Sequence, residues 1–305
     1  MDFFLNDDQE SIMDAIGTIV SRYAGPSRLR ALGGDQPTYD FVLEEHLTRG
    51  GYLELSQAGH SGRLDSVLVV ERLSCALSTV SAGYQALVAP SLKLDVVAPI
   101  SIVPFGYSGP ARFACVAKFV VVVADDHVSI AQPNTDNNRR VDSRLGWPVG
   151  QIDAVLPSKK VPAVDPTEIL MWWKIALTAE LVGTMEFAVN MAVEHVTNRH
   201  QFGKAIGSFQ TVQHGLAECA VSVEAARWLV REAAWQADGA LASVALSRAS
   251  RASLQVLRYT HQYCGAMGFT SEFDLHLATM RLPALQAEAM TLANGSPSSR
   301  ETGGI

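Results

Sequence analysis

The sequence lacks the features that mark several common classes of protein. The 305-residue chain has a net charge of −7 and no run of basic residues that could neutralise nucleic-acid phosphates. No Gly-x-Gly-x-x-Gly segment follows a predicted strand, and the Gly-x-Ser-x-Gly pattern of serine hydrolases is absent. These absences exclude a nucleic-acid partner, a Rossmann-type nicotinamide site and hydrolysis by an activated serine.

Cysteine and histidine give no sign of a disulfide framework or a metal centre. The four cysteines form no Cys-x-x-Cys pair, and each lies in an apolar segment. This pattern predicts reduced thiols in the core of a cytoplasmic protein. His195, His200 and His214 lie close together in the sequence, but their spacing fits no metal site. We therefore expect no bound metal.

The longest hydrophobic stretch covers residues 169–196 and is interrupted by charges. Those charges are Lys174, Glu180, Glu186 and Glu194. Charged side chains are costly inside a bilayer, so we expect a buried helix and no membrane partner. The glutamates are interpreted as solvated or interface charges.

Hydrophobic periodicity predicts a mainly α protein with a small β domain. The predicted parts are an N-terminal α-helical domain (1–92), a reduced middle β domain (93–165), a C-terminal four-helix bundle (166–290) and a flexible tail (291–305). Predicted helices include one from Asp8, capped by Asn6 or Asp7, and two at Phe41–Arg49 and Asp65–Leu77. Predicted strands cover 113–124, Val128–Ala131 and Ala154–Leu156. The bundle seams are Val212, Leu216, Cys219, Val223, Ala226, Val230 and Ala233 on one helix, and Leu246, Ala249, Ser253, Val256, Thr260, Tyr263 and Met267 on the next.

The richest motif in the chain covers residues 199–210 and reads Arg-His-Gln-Phe-Gly-Lys-Ala-Ile-Gly-Ser-Phe-Gln. Arg199 is a permanent planar cation suited to a phosphate, and Gln201 and Gln210 add neutral donors and acceptors. Phe202 offers an aromatic face, and the glycine after it lets backbone approach a ligand. Residue by residue, these types suit an anionic phosphate, but a helix end followed by an ordinary loop is an equal alternative.

A second motif reads Gln262-Tyr-Cys-Gly-Ala-Met-Gly-Phe. Gly265 and Gly268 remove side chains where a cofactor could lie against the backbone. Taken alone, a glycine-rich helix end is more often a simple C-cap.

The two motifs together resemble the signatures of the acyl-CoA dehydrogenase family, and the order helix, small β unit and helical bundle is similar to that family as well. The resemblance implies that Arg199, Gln201, Phe202, Gln210, Gln262 and Gly265 bind the adenosine diphosphate half of FAD seated in a neighbouring subunit. Ala266 stands where the family has a second glycine of this cofactor-binding segment.

The other half of the family's active site is missing from the sequence. Residues 91–110 contain no equivalent of the hydroxyl-rich, acidic loop that family members place beside the isoalloxazine. The reaction also needs a carboxylate base, which the family places at one of two positions. One position falls on Ala289, with Glu288 adjacent, and the other falls on Trp173. Glu288 is thus the one weak candidate for a catalytic residue.

The resemblance implies an FAD-dependent subunit of a heteromeric acyl-CoA dehydrogenase, similar to the short, non-catalytic subunit of α2β2 steroid-CoA enzymes. The expected partners are a catalytic subunit, an acyl-CoA substrate and an electron-transfer flavoprotein or similar acceptor. Two alternatives stay open at this point. One is a homomeric dehydrogenase that uses Glu288 as base, and the other is a non-enzymatic helical scaffold of the same fold.

Overall fold

The computed structural model describes residues 5–59, 61–94, 99–133, 139–153 and 157–293. The helices are α1 (Asp7–Tyr23), α2 (Pro26–Ala31), α3 (Phe41–Arg49), α4 (Gly62–Cys75), α5 (Pro166–Asn198), α6 (Gln210–Gln236), α7 (Gly239–Cys264) and α8 (Leu275–Ala293). The strands are β1 (Ile100–Pro104), β2 (Gly109–Arg112), β3 (Phe119–Val123), β4 (Val128–Ala131), β5 (Val149–Ile152), β6 (Ser158–Lys160), β7 (His200–Gln201) and β8 (Lys204–Ala205). The mainly α fold with a small β unit is therefore confirmed.

The N-terminal helices begin and end close to their predicted positions. Asn6 accepts a hydrogen bond from the backbone N–H of Gln9 at 2.9 Å, and the Gln9 side chain accepts one from the N–H of Asn6 at 3.2 Å. This reciprocal capping box starts α1. Helix α4 begins three residues earlier than predicted and ends before Leu77, which has a φ of 55° that a helix does not tolerate.

The β unit is a four-stranded sheet with a separate antiparallel pair. The sheet has the order β1-β3-β4-β6, with β1 parallel to β3 and the other neighbours antiparallel. Strands β2 and β5 form the pair. Strand β3 is buried on both faces, because Val121 packs in the main core and Val120 packs in a second cluster. In the sequence, a strand buried on both faces is a continuous run of apolar residues rather than an alternation of apolar and polar residues.

The strand predicted over 113–124 is wrong in its first half. Phe113 has a φ of 64°, and its carbonyl accepts from the N–H of Ala117 at 2.9 Å, so this segment is a turn. The buried Phe113 ring made the turn resemble a strand in the sequence. The strand Val128–Ala131 is confirmed as β4. The predicted strand Ala154–Leu156 lies outside the described residues.

Helix α5 runs through the centre of the molecule. Asp165 caps its first turn by accepting from the N–H of Thr167 at 2.8 Å. Helix α5 is long and apolar enough to cross a membrane, but 78% of its most apolar 18-residue segment is buried inside the protein. Gly183 marks its closest approach to α4, since a Cβ atom built there would lie 2.2 Å from the carbonyl oxygen of Glu71.

Helices α6 and α7 form an antiparallel hairpin that packs on α5. The predicted seam of α6 is buried from Leu216 to Ala233, and that of α7 is buried from Leu246 to Thr260. Met267 does not belong to the seam, because α7 ends at Cys264 and Gly265 adopts a φ of 58°. The main core runs without a break from α1 through the sheet to α8. The domain limits therefore remain a sequence prediction, and most of the tail lies outside the described residues.

Candidate functional site

The first motif forms a tight hairpin at the end of α5. Arg199 is the C-cap residue, and its N–H donates to the carbonyl of His195 at 2.9 Å. Strands β7 and β8 follow, joined by Phe202 and Gly203 with φ values of 54° and 82°. Two successive positive φ angles are the signature of a type I′ turn, which suits a two-residue hairpin. The sequence therefore holds Phe202 at a defined, outward position.

The motif side chains face solvent in this protomer. Phe202 is 91% exposed, and Arg199, Gln201 and Gln210 are exposed as well. Among the described residues, the Arg199 guanidinium has no ion-pair partner. The exposed Phe202 ring on the turn and the unpaired Arg199 cation at the end of α5 are available to a ligand or a second subunit.

The second motif lies at the same end of the bundle. Because α6 and α7 are antiparallel, the start of α6 and the end of α7 are neighbours, and the Tyr263 hydroxyl donates to the Thr211 carbonyl at 2.9 Å. Gln262, Gly265 and Ala266 are exposed. A Cβ atom at Gly265 would meet no atom within 4 Å, so the space beside this backbone is open.

The motif face is defined as the seven exposed residues that the two motifs contribute. They are Arg199, Gln201, Phe202, Gln210, Gln262, Gly265 and Ala266. One cation, three amides and open glycine backbone match the chemistry of a pyrophosphate with an attached aromatic base. Two segments far apart in the sequence therefore meet on a single surface.

Glu288, which adjoins one of the two sequence positions considered for a base, contacts the residue at the other position, Trp173. Glu288 on α8 accepts a hydrogen bond from the Trp173 indole at 2.6 Å, and its other carboxylate oxygen accepts from Arg112 Nε at 2.8 Å. The Tyr84 hydroxyl donates to the same oxygen as Trp173 at 2.7 Å. Glu288 is thus held by three donors, and only 16% of its side chain is exposed.

Glu288 belongs to a group of four charged residues, here called the charge quartet: Arg112, Glu180, Arg281 and Glu288. The first three are buried, and Glu288 is partly exposed. Arg112 forms an ion pair with Glu180 at 2.8 Å in addition to its bond with Glu288. Glu180 is 3% exposed, so its interpretation as a solvated or interface charge is wrong. It is buried because Arg112 supplies its counter-charge at the interface between β2 and α5.

Burial and pairing shift the proton affinities within the quartet. Burial raises the pKa of Glu180, and Arg112 only partly offsets that effect. Burial lowers the pKa of Arg112, but Glu180 and Glu288 outweigh it and hold that pKa well above its ordinary value. Burial lowers the pKa of Arg281 to about 9. Two cations and two anions make the quartet neutral, which limits the cost of burying it.

Arg281 is anchored by backbone and by an aromatic ring. It donates to the carbonyls of Gly146 at 3.1 Å and Ser78 at 2.9 Å. Its guanidinium lies 4.0 Å from the centroid of the Trp147 ring, and Arg112 lies 4.9 Å from the same ring. Such cation–π contacts stabilise desolvated guanidinium groups.

A pocket of about 260 Å³ opens beside Glu288. Its polar residues include Tyr84, Arg112, Trp173 and Glu288, and its other walls come from β1, β2, β5 and α8. Arg112 and Tyr84 were missed by the sequence analysis. The signal that could have revealed Arg112 is a lone cation between apolar residues, at Ala111-Arg112-Phe113.

Comparison with known proteins relates the chain to one family. Residues 166–296 match the model of the acyl-CoA dehydrogenase C-terminal domain, so this part of the chain is a domain of that family. Among its relatives is acyl-CoA dehydrogenase IpdE2 of Mycobacterium tuberculosis (strain ATCC 25618 / H37Rv), which is 27% identical over 290 residues covering 89% of each chain. Family membership supports an oxidoreductase of the flavoprotein type.

Solved structures show the same fold along nearly the whole chain. A chain of the ChsE4-ChsE5 complex from Mycobacterium tuberculosis has a TM-score of 0.74 at 19% identity, covering 99% of this chain and 98% of that chain. A Tcur3481-Tcur3483 steroid ACAD variant has a TM-score of 0.77 at 18% identity, covering 97% of this chain and 96% of that chain. The likeness therefore extends beyond the bundle to the N-terminal helices and the β unit.

Proposed function

We propose that this chain is the supporting subunit of a heteromeric, FAD-dependent acyl-CoA dehydrogenase with α2β2 composition. In this proposal the chain holds the adenosine diphosphate half of an FAD whose isoalloxazine lies in a catalytic partner. The observation that carries the proposal is a contrast within the chain. The motif face is exposed and its cation is unpaired, whereas the carboxylate at the base position is bound to three donors.

The motif face fits the diphosphate end of FAD. The planar guanidinium of Arg199 can bind phosphate oxygens through two parallel hydrogen bonds. Gln201, Gln210 and Gln262 add amide groups that can donate to phosphate or to ribose hydroxyls. Bound FAD supplies the hydride acceptor, and these residues bind and orient its diphosphate end. Their outward direction suits a cofactor seated in another subunit.

Glu288 is poorly suited to remove a substrate proton. A general base needs a lone pair directed at the carbon acid and a proton affinity matched to that task. Both Glu288 oxygens already accept hydrogen bonds, and one of those bonds comes from a guanidinium. The partner is therefore proposed to supply the catalytic carboxylate.

The substrate and partners are proposed by similarity. Among the solved structures with this fold are a complex of two different chains and a steroid ACAD. We accordingly propose a bulky steroid side-chain acyl-CoA as substrate, with electrons passing to an electron-transfer flavoprotein or a similar acceptor. This part rests on likeness rather than on residues of the motif face.

A homomeric dehydrogenase is the second candidate, and one observation favours it. Glu288 lines a pocket with mainly apolar walls, where an acyl group could lie close to a carboxylate. In that case the chain would bind its own flavin and use Glu288 as base.

Flavin stoichiometry separates the candidates. The chain should be purified alone and after co-expression with its partner subunit, and the flavin absorbance should be divided by the chain concentration. The proposal expects a colourless chain alone and one FAD for each pair of unlike chains in the complex. A yellow homomer with one FAD per chain would establish the second candidate instead. A complex without flavin would indicate a non-enzymatic scaffold.

A further inference from the structure

We infer that Tyr263 is a positioning residue of the motif face, because it joins the segment at the start of α6 to the segment at the end of α7. The inference rests on the proposed function, since it concerns the same flavin-binding surface. It adds a residue to which the family resemblance gives no role, together with a glycine on α6 that makes room for it. Tyr263 touches no ligand in this arrangement and acts through the residues beside it.

A hydrogen bond links the two segments. The Tyr263 hydroxyl donates to the carbonyl of Thr211 at 2.9 Å. Thr211 directly follows Gln210 in the first turn of α6, and Tyr263 directly follows Gln262 in the last turn of α7. A carbonyl oxygen has two lone pairs, so Thr211 can accept this bond in addition to the bond within its own helix. The bond therefore lies next to one amide of the motif face at each of its ends.

Gly215 leaves the space that the Tyr263 hydroxyl occupies. Gly215 is buried in α6, one turn after Thr211. A Cβ atom built on Gly215 would overlap the Tyr263 hydroxyl oxygen and would lie 2.8 Å from the ring carbon that bears it. Glycine is less favourable than alanine inside a helix, so this residue weakens α6 by itself. The access of Tyr263 to the Thr211 carbonyl accounts for a glycine at this position.

Tyr259 supports the Tyr263 ring from its own helix. The two residues are one turn apart on α7, their ring centroids are 5.7 Å apart, and their ring planes differ by 22°. Side chains four residues apart on a helix are neighbours, and stacked rings restrict each other's rotation. The Tyr263 hydroxyl is therefore directed at α6 by a ring beside it and by the open space above Gly215.

The position of this bond gives it a role in binding. Gln210 and Gln262 lie on different helices, and a binding site needs its groups held to within about 0.5 Å of the geometry that the ligand requires. The apolar seam between α6 and α7 is non-directional, so it fixes the relative position of the two helices only loosely. The Tyr263 bond is directional and lies at the end of the hairpin that carries the motif face. It therefore fixes the two amides relative to each other where the diphosphate binds.

Tyr263→Phe removes the hydroxyl and keeps the ring. FAD and FMN are titrated into the flavin-free complex of this chain with its partner subunit, and flavin fluorescence gives each affinity. FAD affinity should fall roughly two- to tenfold, because one ordering hydrogen bond is lost. FMN affinity should stay unchanged, since FMN lacks the adenosine half that the motif face holds. An equal loss for FAD and FMN would overturn the inference, because the tyrosine would then support the fold in general.

Tyr259→Phe is the matched control for the loss of a hydroxyl. The Tyr259 hydroxyl has no hydrogen bond to any described residue, and the substitution keeps the stacked ring. Affinity for both flavins should therefore equal that of the unaltered complex. A loss of FAD affinity as large as that of Tyr263→Phe would show that the bond to Thr211 is not the cause.

Gly215→Ala separates positioning from stability. The added Cβ must displace the Tyr263 hydroxyl from Thr211, whereas alanine itself strengthens α6. FAD affinity should therefore fall at least as far as in Tyr263→Phe, although the melting temperature of the isolated chain does not fall. Gly239→Ala is the control, because a Cβ there meets no atom within 4 Å. Normal FAD affinity in Gly215→Ala would contradict the inference.

Arg199→Ala, measured in the same titration, distinguishes the two levels of the argument. If Arg199→Ala weakens FAD binding while Tyr263→Phe and Gly215→Ala do not, the role of Tyr263 is wrong and the proposed function stands. If all three variants bind FAD normally, the motif face does not hold the cofactor and the proposed function is wrong as well.

Discussion

The indole Nε1 of Trp173 lies 2.6 Å from Oε1 of Glu288, although the two residues are 115 positions apart in the chain. They occupy, or directly adjoin, the two sequence positions at which the family resemblance places a base. The fold brings α5 and α8 together so that Trp173 and Glu288 border one pocket. The Trp173 indole at one position holds the Glu288 carboxylate beside the other position. The two family positions for a base therefore lie in the same structural site.

Arg199→Ala should weaken flavin retention by the assembled complex and leave folding intact. A charge-assisted hydrogen bond contributes about 1.5–3 kcal/mol, which corresponds to a roughly ten- to hundredfold loss of affinity. Flavin dissociation is followed by fluorescence, and stability by thermal melting. Arg251→Ala is the control, because Arg251 is also exposed but lies on α7 away from the motif face. Unchanged flavin affinity would show that Arg199 does not contact the phosphates.

Phe202→Ala should leave the melting temperature of the isolated chain unchanged, since the ring is 91% exposed and contributes little to the core. In the assembled complex, the same change should weaken flavin retention or subunit association, because the proposed cofactor or partner subunit covers the ring there. Analytical ultracentrifugation and flavin titration measure these effects. A large drop in the melting temperature of the chain alone would mean that the ring supports the hairpin instead of a partner. Leu254→Ala is the matched control, because Leu254 is also an exposed apolar residue but lies outside the motif face.

Glu288→Gln should leave turnover of the assembled complex near normal while lowering stability. Gln keeps the shape of the side chain but removes the charge that faces Arg112, and a charge-assisted bond contributes about 1.5–3 kcal/mol. Activity is therefore assayed well below the melting temperature, with flavin content measured in parallel. Glu194→Gln, on the exposed side of α5, is the control. Loss of dehydrogenation with flavin retained would identify Glu288 as the base and favour the homomeric enzyme.

Gly183→Ala should destabilise the chain strongly. The added Cβ would overlap the carbonyl oxygen of Glu71, so α4 and α5 must move apart, and overpacking of this kind costs about 1–3 kcal/mol or more. Gly239→Ala is the matched control, because a Cβ there meets no atom within 4 Å at the start of α7. That change should be neutral or stabilise by about 0.4–1 kcal/mol. Urea unfolding of both variants measures the difference.

Much of the fold follows from local sequence signals, and the exceptions have physical causes. The Asn6 cap and the bundle seams are local patterns, so they predict α1, α6 and α7 correctly. Strands β1, β2, β5 and β6 were missed because short buried or edge strands carry little periodicity. Phe113 misled the strand prediction because a buried aromatic ring at a turn has the same hydrophobicity as one in a strand.

The candidate site also has one part that the sequence reveals and one part that it does not. The residues of the motif face are contiguous in two segments, so a motif reveals them. The residues of the charge quartet lie on β2, α5 and α8. The sequence near Glu180 contains no signal that a distant strand supplies its counter-charge. Only the tertiary structure brings Arg112 to both carboxylates.

The neutrality of the charge quartet has an evolutionary consequence. Replacing any one of Arg112, Glu180, Arg281 or Glu288 leaves an uncompensated charge in the interior, so these positions should change together among homologues, or not at all. A lineage that freed the Glu288 carboxylate would first need another anion for Arg112 and a smaller residue in place of Trp173. The hydrogen-bonded state of Glu288 is therefore hard to change, because a change requires several substitutions that are each harmful alone.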